Sequence, residues 1–196
     1  MRNILHINST FDWTKDSLLF LKRNFLTILL LGLVAGLGRA AQLRAFGEIP
    51  AWLDVSLEVI IQSARLLTFV FALGLNNFKS GVKRISAALL QKSGGLSKRQ
   101  IAWHKLKTHW KKLLWNMAAL LAMSFLINLF IDHIAYETCM YVSLQKRGII
   151  NVNASEWTII LFLKNISVIP LTLVFNAMFV LWLTNKLPSH LSKAVD

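Results

Sequence analysis

Four apolar segments, each long enough to cross a lipid bilayer, are the feature that most constrains this chain. They lie at about 24–43, 53–75, 113–131 and 157–184. The hydrocarbon core of a bilayer takes about 20 apolar helical residues, and a helix satisfies its own backbone polar groups there. The sequence therefore predicts an all-α fold, an integral membrane helical bundle with four transmembrane helices. Residues 1–196 would form a single membrane domain.

A basic segment separates the second apolar segment from the third. Residues 76–112 contain ten Lys or Arg and no Asp or Glu. The chain combines 55% hydrophobic residues and a mean hydropathy of +0.53 with a formal charge of +13, which is rare in water-soluble domains. Loops rich in Lys and Arg stay on the cytoplasmic side of a membrane. This distribution predicts a basic cytoplasmic loop at 76–112, cytoplasmic N- and C-termini, and outer loops at about 44–52 and 132–156.

Amphipathic segments precede or connect the spans. At about 10–23, Trp13, Phe20 and Leu21 share one helical face, which predicts a short helix in the membrane interface. A frayed extension of the first span is the alternative. The basic loop predicts two more amphipathic surface helices, the second running directly into the third span.

The order of these segments also indicates a faint internal repeat. A stretch that carries a tryptophan leads into a span at 13–38 and again at 103–126. Each of these spans is followed by an outer loop and a returning span. A two-plus-two parallel arrangement of the spans fits this order.

The cations of the basic loop allow two interpretations. They hold the loop on the cytoplasmic side without a ligand, or they bind anionic lipid headgroups, where each surface cation adds about 1 kcal/mol. Nucleic acid is an unlikely partner, because Trp103 and Trp110 are typical interface anchors. The candidate lipid-facing residues are Lys79, Lys83, Arg84, Lys98, Arg99, Lys105, Lys107, Lys111 and Lys112.

Small residues in the first span predict close helix packing. Gly32, Gly36 and Ala40 recur at four-residue intervals, the pattern that lets helix backbones approach one another in lipid. In the long fourth span, Pro170 predicts a bend.

The second span carries the most polar face of the four. Glu58, Gln62 and Arg65 follow the spacing i, i+4, i+7, and Arg39 lies at a similar depth on the first span. Charged groups at membrane depth face other helices, a polar cavity or a partner. Three interpretations remain open. The face forms an ion pair between Arg39 and Glu58, with Arg65 as a second candidate partner; it lines a transport pathway; or it docks another membrane protein or a second copy.

Catalytic and metal-binding patterns are weak. His104 and His109 are five residues apart, whereas helical metal ligands stand three or four apart. Asp132 and His133 have no nucleophile at a recognisable spacing, and Cys139 is the only cysteine. The sequence therefore predicts a non-enzymatic protein without a metal or a cofactor.

One segment resembles the opening of small bacterial polytopic membrane proteins. It reads Trp13-Thr14-Lys15-Asp16-Ser17-Leu18-Leu19-Phe20-Leu21-Lys22-Arg23-Asn24-Phe25. The glycerophosphodiesterase membrane-domain group is among these proteins. The resemblance implies a helical, multi-pass protein of the bacterial inner membrane, and it assigns no catalytic residue.

We expect a structural or accessory membrane protein that engages anionic lipid headgroups or a larger membrane complex. A small oligomeric transporter or channel subunit that uses the polar face of the second span is the alternative.

Overall fold

A computed structural model describes residues 12–89, 96–184 and 186–187, and all secondary structure in this part of the chain is helical. Four helical segments in it are long and apolar enough to cross a membrane: Phe25–Gln42, Ala51–Leu73, Trp110–Glu137 and Glu156–Leu183. The all-α fold class with four membrane-length helices is confirmed, and the chain is a multi-pass membrane protein.

The helices follow one another along the chain with short connections. Their bounds are α1 Asp12–Arg23, α2 Phe25–Gln42, α3 Ala51–Leu73, α4 Phe78–Leu89, α5 Leu96–Thr108, α6 Trp110–Asp132, α7 Met140–Lys146, α8 Glu156–Ile166 and α9 Val168–Leu183. A π-helical turn, His133–Glu137, extends α6, so the third span is longer than the sequence predicted.

The spans pack around α9 and α2. Helix α2 runs antiparallel to α3 and to α8, since Gly38 lies against Ile61 and Gly36 lies against Phe162. Helix α9 packs along α3 and α1. We call the end of the bundle where α2 and α6 begin and α3 and α9 end the basic end. Helices α1, α4 and α5 lie at this end.

Helix α1, the predicted interfacial helix, is also packed against the bundle, which the sequence did not predict. Trp13 is only 2% exposed and lies against Phe175, Phe179 and Trp182 of α9. Its neighbour Thr14 donates a hydrogen bond from Oγ1 to Oδ1 of Asn116 on α6 (2.9 Å). Other helices, and not lipid alone, cover the apolar face of α1.

Phe20 is buried too, with its ring centroid 5.8 Å from that of Phe71. An amphipathic pattern shows that one face of a helix avoids water, but lipid and protein both provide such an environment. For this reason the sequence could not distinguish burial in the bundle from immersion in the interface.

Two spans are preceded by the same backbone break. Asn24 separates α1 from α2 with φ −113° and ψ 25°, and His109 separates α5 from α6 with φ −116° and ψ 25°. Helix α5 ends at Thr108 and α6 begins at Trp110, and backbone hydrogen bonds through His109 join the two, so α5 leads into the third span with one irregular residue between them. The repeated break accords with the faint repeat in the sequence, in which a stretch that carries a tryptophan leads into a span in each half.

The fourth span is broken where Pro170 predicted a bend. Pro170 lacks a backbone N–H, so the carbonyl of Ile166 loses its usual donor four residues on. Ser167 adopts φ −124° and ψ −78° between α8 and α9, and its Oγ donates to the carbonyl of Leu163 (2.6 Å). Helical hydrogen bonds still cross the break, from Ser167 N to Leu163 O and from Leu171 N to Ser167 O (both 3.1 Å), so the carbonyl of Ile166 is the group that loses a donor to Pro170.

Helix α2 contacts the fourth span at this break through its small residues. A Cβ on Gly32 would lie 3.0 Å from the backbone oxygen of Asn165 and 3.1 Å from Cα of Ile166. A Cβ on Gly36 would lie 3.0 Å from a ring carbon of Phe162, and Ala40 is buried one turn further along. The small-residue face therefore packs against another helix, and Gly32 makes the contact with backbone atoms.

We expect Gly32→Ala to destabilise the protein by about 1–3 kcal/mol, the usual cost of overpacking a tight contact. Alanine otherwise favours a helix over glycine by about 1 kcal/mol, so a loss of stability would identify the contact itself. Thermal unfolding in detergent measures the effect. The exposed Val34→Ala should change stability little, and equal effects of the two substitutions would show that the contact at Gly32 is absent.

Candidate functional site

The ion pair that the sequence predicts between the first two spans is present. Arg39 Nη1 of α2 lies 3.1 Å from Glu58 Oε2 of α3, with side chains 23% and 42% exposed. Two amides also donate to this carboxylate, Gln42 Nε2 to Oε2 (3.3 Å) and Gln62 Nε2 to Oε1 (2.7 Å). Three donor side chains from two helices thus bind one carboxylate, and Arg39 balances its charge. The cluster fastens α2 to α3 in the half of the spans away from the basic end.

Arg65 does not share this carboxylate, although the sequence made it a second candidate partner. Its Nε and Nη2 donate to Oδ1 of Asn165 at 3.2 and 2.8 Å. Asn165 is buried, and its Nδ2 donates to the carbonyl of Leu161 (2.7 Å). The physical reason is position, because Arg65 lies two helical turns from Glu58, opposite the break in the fourth span. Sequence reasoning missed Asn165, whose only signal was a carboxamide within an apolar segment.

Gln62 is the outward-facing member of the polar face. It is exposed, as are Val55, Val59 and Leu66 on the same side of α3. Glu58, to which Gln62 donates, turns toward α2, whereas Arg65 turns toward α8, so Arg65 does not share a site with the other two. The face predicted from the sequence is divided between two packing contacts and one exposed amide.

A double-mutant cycle tests the ion pair. Glu58→Gln should destabilise the protein because it leaves Arg39 without a carboxylate, and adding Arg39→Gln should recover part of the loss. We expect a coupling energy of roughly 0.5–1 kcal/mol, since the pair is partly exposed. Unfolding of the three variants in one detergent gives this value.

The matched control is the double variant Arg65→Gln with Glu58→Gln. Because Arg65 bonds to Asn165 and not to Glu58, the two substitutions should be additive. Stronger coupling of Glu58 to Arg65 than to Arg39 would overturn the assignment.

At the basic end, Arg84 fastens α4 to the end of α3. Its Nη1 donates to the carbonyl of Leu73, the last residue of α3. Gly81 makes this approach feasible, since a Cβ there would lie 2.1 Å from the carbonyl oxygen of Val70. A cation that caps helix-terminal carbonyls also interacts favourably with the helix dipole.

Lys105 fastens α5 to the end of α9 in the same way. Its Nζ donates to the carbonyl of Trp182 (2.7 Å) and lies 4.5 Å from the centroid of that ring. Burial lowers the pKa of the Lys105 ammonium group. His109 lies nearby with its ring centroid 6.2 Å from that of Trp182, and burial, followed by the charge of Lys112, lowers its pKa. Trp182 of α9 thus contacts both α1, through Trp13, and α5, through Lys105.

The cations predicted to face lipid fall into three groups. Arg84, Lys105 and Lys112 are partly buried, and the first two have the structural contacts just described, which the sequence did not foresee. The side chains of Lys98 and Arg99 lie outside the described residues. The exposed group comprises Lys79, Lys83, Lys107 and Lys111.

Tryptophans accompany two of the exposed lysines. Lys107 Nζ lies 5.7 Å from the ring centroid of Trp103, and Lys111 Nζ lies 6.0 Å from that of Trp110. Both rings are largely exposed. Cations beside exposed indoles can bind a headgroup while the ring enters the interface.

The described residues contain no group of three or more His, Cys, Asp or Glu side chains placed to hold a metal ion. Comparisons with protein-family models, curated proteins and solved structures find no match for this chain.

Proposed function

We propose that this chain is a non-enzymatic structural or accessory membrane protein whose basic end binds anionic lipid headgroups. One observation carries the proposal: Lys79, Lys83, Lys107 and Lys111 are exposed on segments held against one end of the bundle. Arg84 and Lys105 provide the attachment, so some cations of the basic loop position the segments that present the others.

The energetics favour a lipid surface as the partner. Each cation near an anionic leaflet contributes about 1 kcal/mol, although the contributions do not add linearly because screening acts over about 8 Å. Between Glu58 and Asp132 the chain contains no acidic residue that would compete for these cations. A larger complex with an acidic membrane-facing surface is a partner of the same chemistry.

The proposal includes a location. The clustering of Lys and Arg at one end supports a bacterial inner membrane with the basic end and both termini in the cytoplasm. The resemblance of residues 13–25 to bacterial polytopic proteins supports the same assignment.

Charge removal at the basic end tests lipid binding. We expect the triple variant Lys83→Gln, Lys107→Gln and Lys111→Gln to lose about tenfold in preference for phosphatidylglycerol over phosphatidylcholine, because three headgroup contacts are removed. The measurement is native mass spectrometry of the full chain released from nanodiscs that contain equal amounts of the two lipids.

The control removes three exposed cations from the opposite end: Arg44→Gln, Lys146→Gln and Arg147→Gln. This variant should keep the preference of the unaltered chain. Equal losses in the two triple variants would mean that total charge alone sets the lipid preference, and no change in either would overturn the proposal.

The orientation has its own test. A reporter that is active only in the periplasm should be inactive when fused at Gly94 and active when fused at Gly148. Activity at Gly94 would place the basic end outside the cytoplasm and contradict the proposed location. The same fusions in the lysine variant establish that charge removal has not inverted the protein.

A small oligomeric transporter or channel subunit is the second candidate, and the exposure of Gln62 and of the Glu58 carboxylate favours it. Several copies would be needed to enclose a path along α3. Ion or solute flux into liposomes containing the chain, abolished by Gln62→Leu, would support this function.

A further inference from the structure

An apolar cleft separates α2 from α6 in the half of the bundle nearer the basic end. Its volume is about 460 Å³, within the range of about 300–1,000 Å³ typical of small-molecule pockets. Leu29 of α2, Met123 and Leu126 of α6 and Pro170 at the break of the fourth span contribute to its walls. Leu18, Phe25 and Leu126 of its lining are exposed, so the cleft is open at the surface of the bundle.

Helix α1 closes the cleft toward the basic end. Leu18 and Leu21 of α1 join Phe25 of α2 in its lining. Backbone hydrogen bonds continue across the break between these helices, from Asn24 N to Phe20 O (3.0 Å) and from Ile28 N to Asn24 O (3.1 Å). The helical spacing is therefore nearly maintained from α1 into α2.

That spacing places a cation at the mouth of the cleft. Leu18, Lys22, Phe25 and Leu29 follow i, i+4, i+7, i+11, and three of the four line the cleft. Lys22 and its neighbour Arg23 are exposed and form no ion pair with a described residue. Lys22 follows the spacing of the lining residues and Arg23 is its neighbour, so an apolar cleft with two exposed cations next to it matches the two parts of an anionic phospholipid.

We infer that the cleft between α2 and α6 binds an acyl chain of an anionic phospholipid, whose phosphate lies at Lys22 and Arg23. The acyl chain packs against Met123, Leu126 and Pro170 at the break of the fourth span. This inference deepens the proposed function by adding a discrete site, and it rests on that function only for the class of lipid.

Photo-crosslinking tests the site. The probe is phosphatidylglycerol with a diazirine in the middle of one acyl chain, incorporated into liposomes with the full-length protein. We expect labelling of the segment Met123–Ile127 to exceed labelling of the outward face of α3 at Val55 and Val59 at least threefold. Equal labelling would show only the surrounding lipid and overturn the inference.

Two variants, each with a matched control, test the apolar interior of the cleft and the cations at its mouth separately. Leu126→Trp fills the cleft and should bring its labelling down to the level of α3, whereas Leu121→Trp, on the same helix outside the cleft, should not. Both positions are exposed, so neither substitution should prevent folding. If Leu126→Trp leaves the labelling unchanged, the acyl chain does not occupy the cleft.

Lys22→Gln with Arg23→Gln should reduce phosphatidylglycerol labelling in the cleft to the level of a phosphatidylcholine probe, whereas Lys79→Gln with Lys83→Gln should leave it unchanged. Equal cleft labelling by both probes in the unaltered chain would show that the site does not select the net negative charge of the lipid, and it would overturn the inference. Because the test of the proposed function changes other lysines, either can fail while the other holds.

Discussion

A helix that ends at a membrane surface leaves its last carbonyl groups without donors from its own backbone. Here two long cations provide the donors, Arg84 to Leu73 at the end of α3 and Lys105 to Trp182 at the end of α9. Each bond draws a short basic helix under the span that it caps. The arrangement of the basic end, including which lysines remain exposed, depends on these two contacts.

The same requirement operates within the spans, where water cannot satisfy a polar group. Pro170 removes one helical donor from the fourth span, and two neighbouring helices pack against this region. Gly32 brings α2 close to the backbone of Asn165, and Arg65 donates to its side chain. Because Pro170 both breaks the span and lines the cleft between α2 and α6, one residue shapes the polar and the apolar features of the interior.

Features that depend on a pattern of residues close together in the sequence could be predicted. The four spans follow from apolar length, the bend from Pro170, the close helix contact from the spacing of Gly32 and Gly36, and the ion pair from opposite charges at equal depth. The bond between Arg65 and Asn165 joins residues 100 positions apart, and no pattern of neighbouring residues predicts it. Likewise, the capping by Arg84 and Lys105 could not be foreseen, because a cation that bonds a carbonyl and one that faces lipid have the same sequence signature.

The burial of Trp13 against Trp182 has a consequence for how the protein is made. Synthesis proceeds from the N-terminus, so α1 leaves the ribosome long before α9 exists. Until then α1 can pack against α3 and α6 through Phe20 and Thr14, while the part of its apolar face around Trp13 has no α9 to cover it. The two indoles, with ring centroids 4.4 Å apart, meet only after the fourth span has inserted. Helix α1 thus completes its packing only when the last span is in place, and a chain released before α9 would leave Trp13 uncovered.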